Sequence, residues 1–167
     1  MKNLLEEVKQ PALYQVRELA LKVWPQTFKP ILSDDQIDYM MEMMYSTKSL
    51  QKQYENGCIF YILKSNTDPA GFMSIEHNYK QNPYKTKLHK LYLLTEFQGT
   101  GLGKYLIEQA AEIAKTRGSK ILELNVNRYN TSAIEFYKKK NFEITETEDI
   151  AIGNDFLMED YIMQKPL

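Results

Sequence analysis

Apolar residues recur at every third or fourth position before residue 57 and close to every second position in the stretch that follows, so the pattern predicts helices first and strands next. A short strand is expected around Leu4 to Val8. Pro11 suits the first turn of a helix that carries Leu13, Val16, Arg17, Ala20 and Val23 at helical spacing and should stop near Trp24-Pro25. Ser33-Asp-Asp-Gln36 reads as a capping box opening a second helix along Ile37, Met40, Met41 and Met44, and a third short helix is expected from Thr47 to Tyr54. Cys58 to Leu63, Ala70 to Glu76 and Thr86 to Leu94 are rich in β-branched and aromatic residues with turn signals between them, which predicts an antiparallel meander. The stretches Lys64 to Pro69 and Asn78 to Lys85 read as its connections.

After the meander, Leu102, Tyr105, Leu106, Ala110 and Ile113 mark one face of a helix from Leu102 to Thr116, with Gly118 as the residue that closes it. Ile121 to Val126 should be a strand parallel to the one before that helix. Thr131 to Lys140 reads as another helix, and Phe142 to Ile150 with Phe156 to Met163 as a closing pair of strands. The order describes a mixed α/β fold in a single domain over residues 1–167, long enough to bury roughly two-thirds of the unfolded surface.

Charge narrows the partners. The net charge is −1 with both signs interspersed, so there is no broad basic face for nucleic acid or an anionic membrane, and a small molecule fits better. One cysteine, Cys58, cannot build a disulfide framework, and the first residues are acidic where a signal peptide would carry its apolar stretch. No apolar run approaches the ~20 residues of a membrane span, so a soluble, cytoplasmic protein is expected. The two histidines, His77 and His89, sit in no Cys/His cluster with ligand spacing, and no metal is expected.

The most informative stretch is Gln98-Gly-Thr-Gly-Leu-Gly-Lys104, between a predicted strand and a predicted helix. Glycines at alternate positions let a backbone turn sharply and approach a ligand, and a helix start offers N–H groups and a positive dipole end. Together these make an anion site. Walker A fails, because Gln98 stands where the first glycine belongs and Tyr105 follows Lys104 in place of a hydroxyl for magnesium. The dinucleotide fingerprint also fails on the spacing Gly99, Gly101, Gly103 and on its place after half the chain.

The loop resembles the Gln/Arg-x-x-Gly-x-Gly/Ala signature of the GNAT superfamily of N-acetyltransferases, through Gln98, Gly101 and Gly103. The resemblance extends upstream to Leu88-His-Lys-Leu-Tyr-Leu-Leu94, similar to the superfamily's fourth strand, and downstream to Asn130-Thr-Ser-Ala-Ile-Glu-Phe-Tyr137, similar to its Asn-x-x-Ala-x-x-Phe-Tyr helix. It implies the GNAT fold: a central, mostly antiparallel sheet with a splayed parallel strand pair, flanked by helices. It also implies acetyl-CoA as co-substrate, with the backbone of Gln98, Gly99, Thr100, Gly101, Leu102, Gly103 and Lys104 holding the pyrophosphate. The main chain of Leu91, Tyr92 and Leu93 would pair with the pantetheine arm and face the thioester oxygen.

By the same resemblance, Asn130 reaches the coenzyme as well as capping its helix, Phe136 packs near it, and Tyr137 is the general acid. A phenol with pKa near 10 can donate to a thiolate whose thiol has pKa near 8.5. The acceptor amine must lose a proton before it attacks. His89 is a candidate base, where many relatives carry glutamate, and Glu76 on the neighbouring strand is the reserve. Lys140-Asn-Phe142 departs from the family's usual Gly-Phe, and Asn141 is the residue other than glycine that best accepts a left-handed backbone.

Within the superfamily the chain looks most like bacterial spermidine/spermine acetyltransferases, through Trp24-Pro-x-Thr-Phe28, Leu32-Ser-x-x-Gln-Ile37 and the ending Gly153-Asn-Asp-Phe-Leu-Met-Glu-Asp-Tyr161. The expected acceptor is therefore a primary amine, with a polyamine such as spermidine one option. Trp24 and Phe28 are candidates for an acceptor pocket and, equally, for core packing. Two other readings stay open at this point: a module that binds acyl-CoA without turning it over, and an enzyme acting on protein N-termini or lysines. Homodimerisation through the C-terminal strands or an exposed edge is open too.

Overall fold

The computed structural model describes residues 2–167. Its seven strands are β1 (Asn3–Val8), β2 (Ile59–Ser65), β3 (Asp68–His77), β4 (Lys85–Leu93), β5 (Ile121–Asn127), β6 (Glu143–Gly153) and β7 (Phe156–Pro166). The helices are α1 (Tyr14–Phe28), α2 (Asp34–Tyr45), α3 (Thr47–Glu55), α4 (Leu102–Thr116) and α5 (Thr131–Lys139). The strands form one mixed sheet in the order β1-β2-β3-β4-β5-β7-β6. Antiparallel pairing joins β1 to β2, β2 to β3, β5 to β7 and β6 to β7, and β4 with β5 is the parallel pair, as the mixed α/β reading requires. No helix among the described residues is long and apolar enough to cross a membrane.

The chain divides into two compact units. The first ends at Glu76 and resumes over Lys90–Leu106, and the second holds His77–His89 and Ile107–Leu167. In the first, α1 buries Val16, Ala20, Val23, Trp24 and Phe28, α2 buries Ile37, Met40, Met41 and Tyr45, and β2 and β3 contribute Phe60, Ile62, Phe72 and Ile75. An aromatic cluster forms its centre: the Trp24 ring lies 4.3 Å from Phe28, 5.7 Å from Tyr45 and 6.0 Å from Tyr92, and Trp24 Nε1 donates to the Tyr45 hydroxyl at 2.9 Å. In the second unit, Leu88, Leu122, Leu124, Val126 and Met163 line a buried sheet face, with Ile107, Ala110 and Ala114 of α4 and Ile134 of α5 also buried.

Local signals account for most boundaries. Ser33 caps α2 by accepting from the Gln36 N–H at 3.1 Å, and Ser46 caps α3 by accepting from the Ser49 N–H at 3.1 Å. Gly118, at φ +84°, closes α4, and Asn141, at φ 67°, takes the left-handed backbone expected of it after α5.

Three expectations are corrected. Helix α1 does not stop at Trp24-Pro25 but runs through Pro25 to Phe28. The carbonyl that loses the Pro25 N–H belongs to Leu21, on the solvent side, while Trp24 and Phe28 either side of the proline are buried, so packing outweighs the local penalty. The segment Lys64 to Pro69 is not a loop: β2 and β3 continue until only Asn66 and Thr67 lie between them, with Asn66 at φ 57° and Pro69 beside a bulge at Leu63/Lys64. The closing strands also outrun their predicted ends and turn through Asn154 and Asp155, at φ 53° and 58°, the geometry of a two-residue hairpin turn.

Candidate active site

Strand β4 pairs in parallel with β5 from Lys85 to Leu88, opposite Ile121 to Leu124, and β4 itself runs on to Leu93. The last residues of β4, Leu91, Tyr92 and Leu93, are half-buried. Across from them, β3 carries Gly71, and a Cβ built there would lie 2.3 Å from the Tyr92 carbonyl oxygen and 3.2 Å from Leu93 Cα. The β4 backbone therefore leans onto the face where any other residue would put a side chain. The Leu94 N–H donates to the Ala70 carbonyl at 2.9 Å and fixes the end of the lean.

The chain then makes a 3₁₀ turn, Thr95–Phe97, and enters the glycine loop. Gln98 folds its amide back so that Nε2 donates to the Leu93 carbonyl at 3.2 Å, and the Thr100 hydroxyl donates to the Phe97 carbonyl. Gly99 and Gly101 take φ +73° and +87°, and a Cβ on either would meet open space, so the backbone angle and not crowding requires glycine there. Gly103 has a different part: it lies inside the first turn of α4, whose first bond runs from the Tyr105 N–H to the Gly101 carbonyl at 3.1 Å. The loop is thus a turn with two left-handed residues feeding a helix N-terminus, a geometry that receives phosphate oxygens.

In the second unit, Asn130 caps α5. Its Oδ1 accepts from the Ala133 N–H at 3.4 Å and from the Ser132 hydroxyl at 3.2 Å. One helical turn and more beyond, the Phe136 ring lies 5.4 Å from Tyr137, and Tyr137 lies 5.5 Å from Phe142. The Tyr137 ring keeps part of its surface open, but its phenol is enclosed, and burial pushes its pKa up to about 12.

His89 is exposed on β4, with its imidazole 5.6 Å from the Tyr79 ring in a T-shaped contact. The other histidine, His77, is bonded through Nδ1 to the Thr86 hydroxyl at 2.8 Å, which meets Ser119 at 2.7 Å, and burial and the Arg117 charge hold its pKa down. Glu76 is the last residue but one of β3 and is half-buried. Trp24 and Phe28 lie inside the aromatic cluster at 3% and 6% exposure, where packing accounts for both.

Buried charges escaped the sequence, Lys90 and Glu123 among them. Lys90, 8% exposed, donates from Nζ to Gln53 Oε1 at 2.5 Å and lies over the Tyr45 and Phe60 rings; burial pushes its pKa down to about 8 against the opposing effect of Cys58. Glu123 accepts from Lys87 at 2.9 Å, Lys85 at 3.0 Å and Gln164 at 2.8 Å. Burial raises its pKa, but those hydrogen bonds prevail and hold it at about 2. The signal for Gly71 was present, since a lone glycine inside a strand pattern marks a close backbone approach. Lys90 also carried one, as the polar member of the strand face opposite His89.

Residues 13–142, more than half of the chain, match the Acetyltransferase (GNAT) family. The chain belongs to the GNAT acetyltransferase family. That membership places it among the acetyl-CoA-dependent N-acetyltransferases. Spermidine N(1)-acetyltransferase of Thermoplasma acidophilum is 29% identical over 147 residues, covering 85% of this chain and 86% of that protein. An uncharacterized N-acetyltransferase of Methanocaldococcus jannaschii is 39% identical over 102 residues, covering 59% of this chain and only 44% of that relative. Among solved structures, PaiA N-acetyltransferase of Thermoplasma acidophilum in complex with coenzyme A matches with a TM-score of 0.79 at 25% identity over the whole of both chains.

Proposed function

We propose that residues 1–167 act as one catalytic domain that moves an acetyl group from acetyl-CoA to a primary amine, with polyamines such as spermidine as the leading acceptor class. The observation that carries this reading is the joined geometry of the leaning β4 end and the Gln98–Lys104 loop at the start of α4. The similarity to a spermidine acetyltransferase supports the acceptor class.

In this mechanism the amine attacks the thioester directly in a ternary complex. The amides of Gln98, Gly99, Thr100, Gly101, Leu102, Gly103 and Lys104 hold the pyrophosphate, and Asn130 and Phe136 contact the coenzyme further along. Leu91, Tyr92 and Leu93 offer main-chain groups to the pantetheine arm, and an N–H among them polarises the thioester carbonyl. His89, with Glu76 in reserve, takes the proton from the incoming ammonium so that a lone pair is available. Trp24 and Phe28 support the acceptor side as packing beneath it.

Tyr137 serves the leaving group. At a pKa of about 12 the phenol stays protonated throughout the working range, so a donor is always present. Full transfer to a thiolate of ordinary basicity, with thiol pKa near 8.5, is uphill by about 5 kcal/mol. The phenol's first service is hence a hydrogen bond to the developing thiolate, and the proton crosses as burial of the sulfur raises its own basicity.

The test is thiol release from acetyl-CoA by the purified protein against spermidine, spermine, diamines, amino acids, aminoglycosides and short peptides. Spermidine or spermine as the best acceptor supports the reading in full, and activity on peptides alone replaces the acceptor class. Coenzyme binding at micromolar concentration with no thiol release for any amine removes catalysis and leaves a binding module.

A further inference from the structure

The first turns of α1 and α3, both in the first unit, meet at a pocket of about 110 Å³ that shares no residue with the proposed coenzyme and acceptor sites. On the measure by which one water needs ~10–15 Å³, it has room for a body of several heavy atoms. Leu13 of the chain entering α1 and Leu50 of α3, at 5% and 1% exposure, supply a dry apolar surface, and the Tyr14 ring, 57% exposed, stands at the rim. Thr47 and Leu50 are three residues apart and so share one face of α3. Of the eight residues that line the pocket, Arg17 alone carries a charge.

Most of the Arg17 donors are uncommitted. Nη1 donates to the Tyr45 carbonyl, at the end of α2, at 3.4 Å, and the guanidinium meets no carboxylate among the described residues. A guanidinium carries five N–H groups in a planar fork that matches the two oxygens of a carboxylate. Beside it, Ser46 takes up the Ser49 N–H with its hydroxyl and the Leu50 N–H with its carbonyl, which leaves the Thr47 and Lys48 amides at the positive end of α3. Cation and amides select an anion, and the leucines narrow it further. A strongly hydrated ion such as phosphate would gain nothing from that apolar surface, whereas a carboxylate with a short hydrocarbon body covers it.

We propose that this pocket is a second ligand site, which takes a small monocarboxylate. Its carboxylate pairs with Arg17 and the start of α3, and its hydrocarbon body rests on Leu13 and Leu50 under the Tyr14 ring.

The experiment titrates isotope-labelled full chain, with and without coenzyme A, with butyrate, acetate, butyramide and inorganic phosphate, and follows the amide signals of Thr47, Lys48 and Leu50. Butyrate should shift them saturably with a Kd of about 1–10 mM, as suits a ligand of this size, whether or not coenzyme A is present. Acetate, shorter by two methylenes, should bind about tenfold more weakly. Butyramide, of the same shape without the charge, should lose about tenfold or more, and Arg17→Gln should lower butyrate affinity by as much. Thr47→Asp places a carboxylate at the helix start, where it suits the helix, and should abolish the butyrate shifts in a folded protein.

The proposal is overturned if butyrate gives no saturable shift, if butyramide or phosphate binds as tightly, or if Arg17→Gln keeps the parent affinity. Shifts that disappear when coenzyme A is added also overturn it, because butyrate would then be reporting the coenzyme site. Should either variant fail to fold in a thermal melt, the ranking of butyrate, butyramide and phosphate on the parent chain decides the matter.

Discussion

Replacing Gly71 with alanine tests whether the lean of β4 is a requirement of the coenzyme site. The new Cβ would sit 2.3 Å from the Tyr92 carbonyl oxygen, and since Cβ atoms keep at least 3.0 Å from such neighbours, one strand must retreat by about 0.7 Å. Both the oxygen and the 3.2 Å contact, Leu93 Cα, are backbone, so no side-chain rotation relieves the clash. Overpacking of this kind costs about 1–3 kcal/mol, which for a chain of this length lowers Tm by roughly 3–10 °C. The displaced segment is the one assigned to the pantetheine arm. Losing one or two main-chain hydrogen bonds there, at about 1 kcal/mol each, weakens coenzyme binding by roughly 5- to 30-fold. Differential scanning fluorimetry gives the first quantity and isothermal titration with coenzyme A the second. An alanine variant with Tm within 1 °C of the parent and coenzyme affinity within twofold would refute the claim that β4 is held against Gly71. Gly99→Ala is the contrasting case, because its Cβ meets open space while φ is +73°; about 1 kcal/mol of backbone strain should appear in coenzyme affinity more than in Tm.

Tyr137→Phe should lower kcat about tenfold or more and leave coenzyme affinity within twofold in titration. Because burial holds the phenol at about 12, kcat should show no loss from phenol ionisation as pH rises from 8 to 10. Lys90 has a folded pKa of about 8 against 10.5 for the free side chain, so the unfolded chain binds more protons between those values and stability rises with pH across that window, by about 3 kcal/mol in full. Lys90→Met should therefore raise Tm at pH 7 and flatten that rise, as thermal melts of both proteins between pH 7 and 10.5 would show. Glu123, held at about 2, contributes stability above the ordinary carboxylate range that is lost as pH falls from 4.5 towards 2. Glu123→Gln strands the buried Lys87 ammonium at a cost of about 3–5 kcal/mol, so Tm should drop by more than 6 °C, and Glu123→Gln with Lys87→Met should recover part of it.

What the sequence made legible is what is decided within a few residues. The loop could be read because Gly99 and Gly101 answer to their own φ angles and α4 begins at once after them. Asn130, Ser33 and Asn141 were readable for the same reason, each acting on amides no more than three positions away or on its own backbone. The Asn154-Asp155 turn was equally local, and extending the last two strands to it needed only that hairpin signal to be given its weight. Pro25 was misjudged because its local penalty competes with burial of Trp24 and Phe28, which depends on Tyr45 and Tyr92 far along the chain. Lys90 with Gln53 and Lys87 with Glu123 are separated by 37 and 36 residues, and no spacing rule connects them.

In the proposed coenzyme site, those two lysines would hold β4 in place. Strand β4 pairs with β5 from Lys85 to Leu88 in the second unit, and its remaining residues from Lys90 on belong to the first. In the second unit, Lys87 ties β4 to Glu123 of β5 through a nearly solvent-free ion pair. In the first unit, Lys90 ties the next stretch of β4 to Gln53, whose own Nε2 donates to the Met44 carbonyl at 2.8 Å and to the Ser49 hydroxyl at 2.9 Å. Buried charges of this kind are poor sources of net stability, since apolar residues of similar size often do as well or better. Their geometry, however, tolerates little displacement: a shifted ammonium leaves a carboxylate or an amide oxygen unpaired in a dry site. Anchors on both faces of one strand thus convert a stability penalty into positional certainty for the main-chain groups of Leu91, Tyr92 and Leu93. On this argument, Lys90→Met should make the protein harder to melt and poorer at coenzyme binding, and a variant improved in both would show that the lysine has no positioning part.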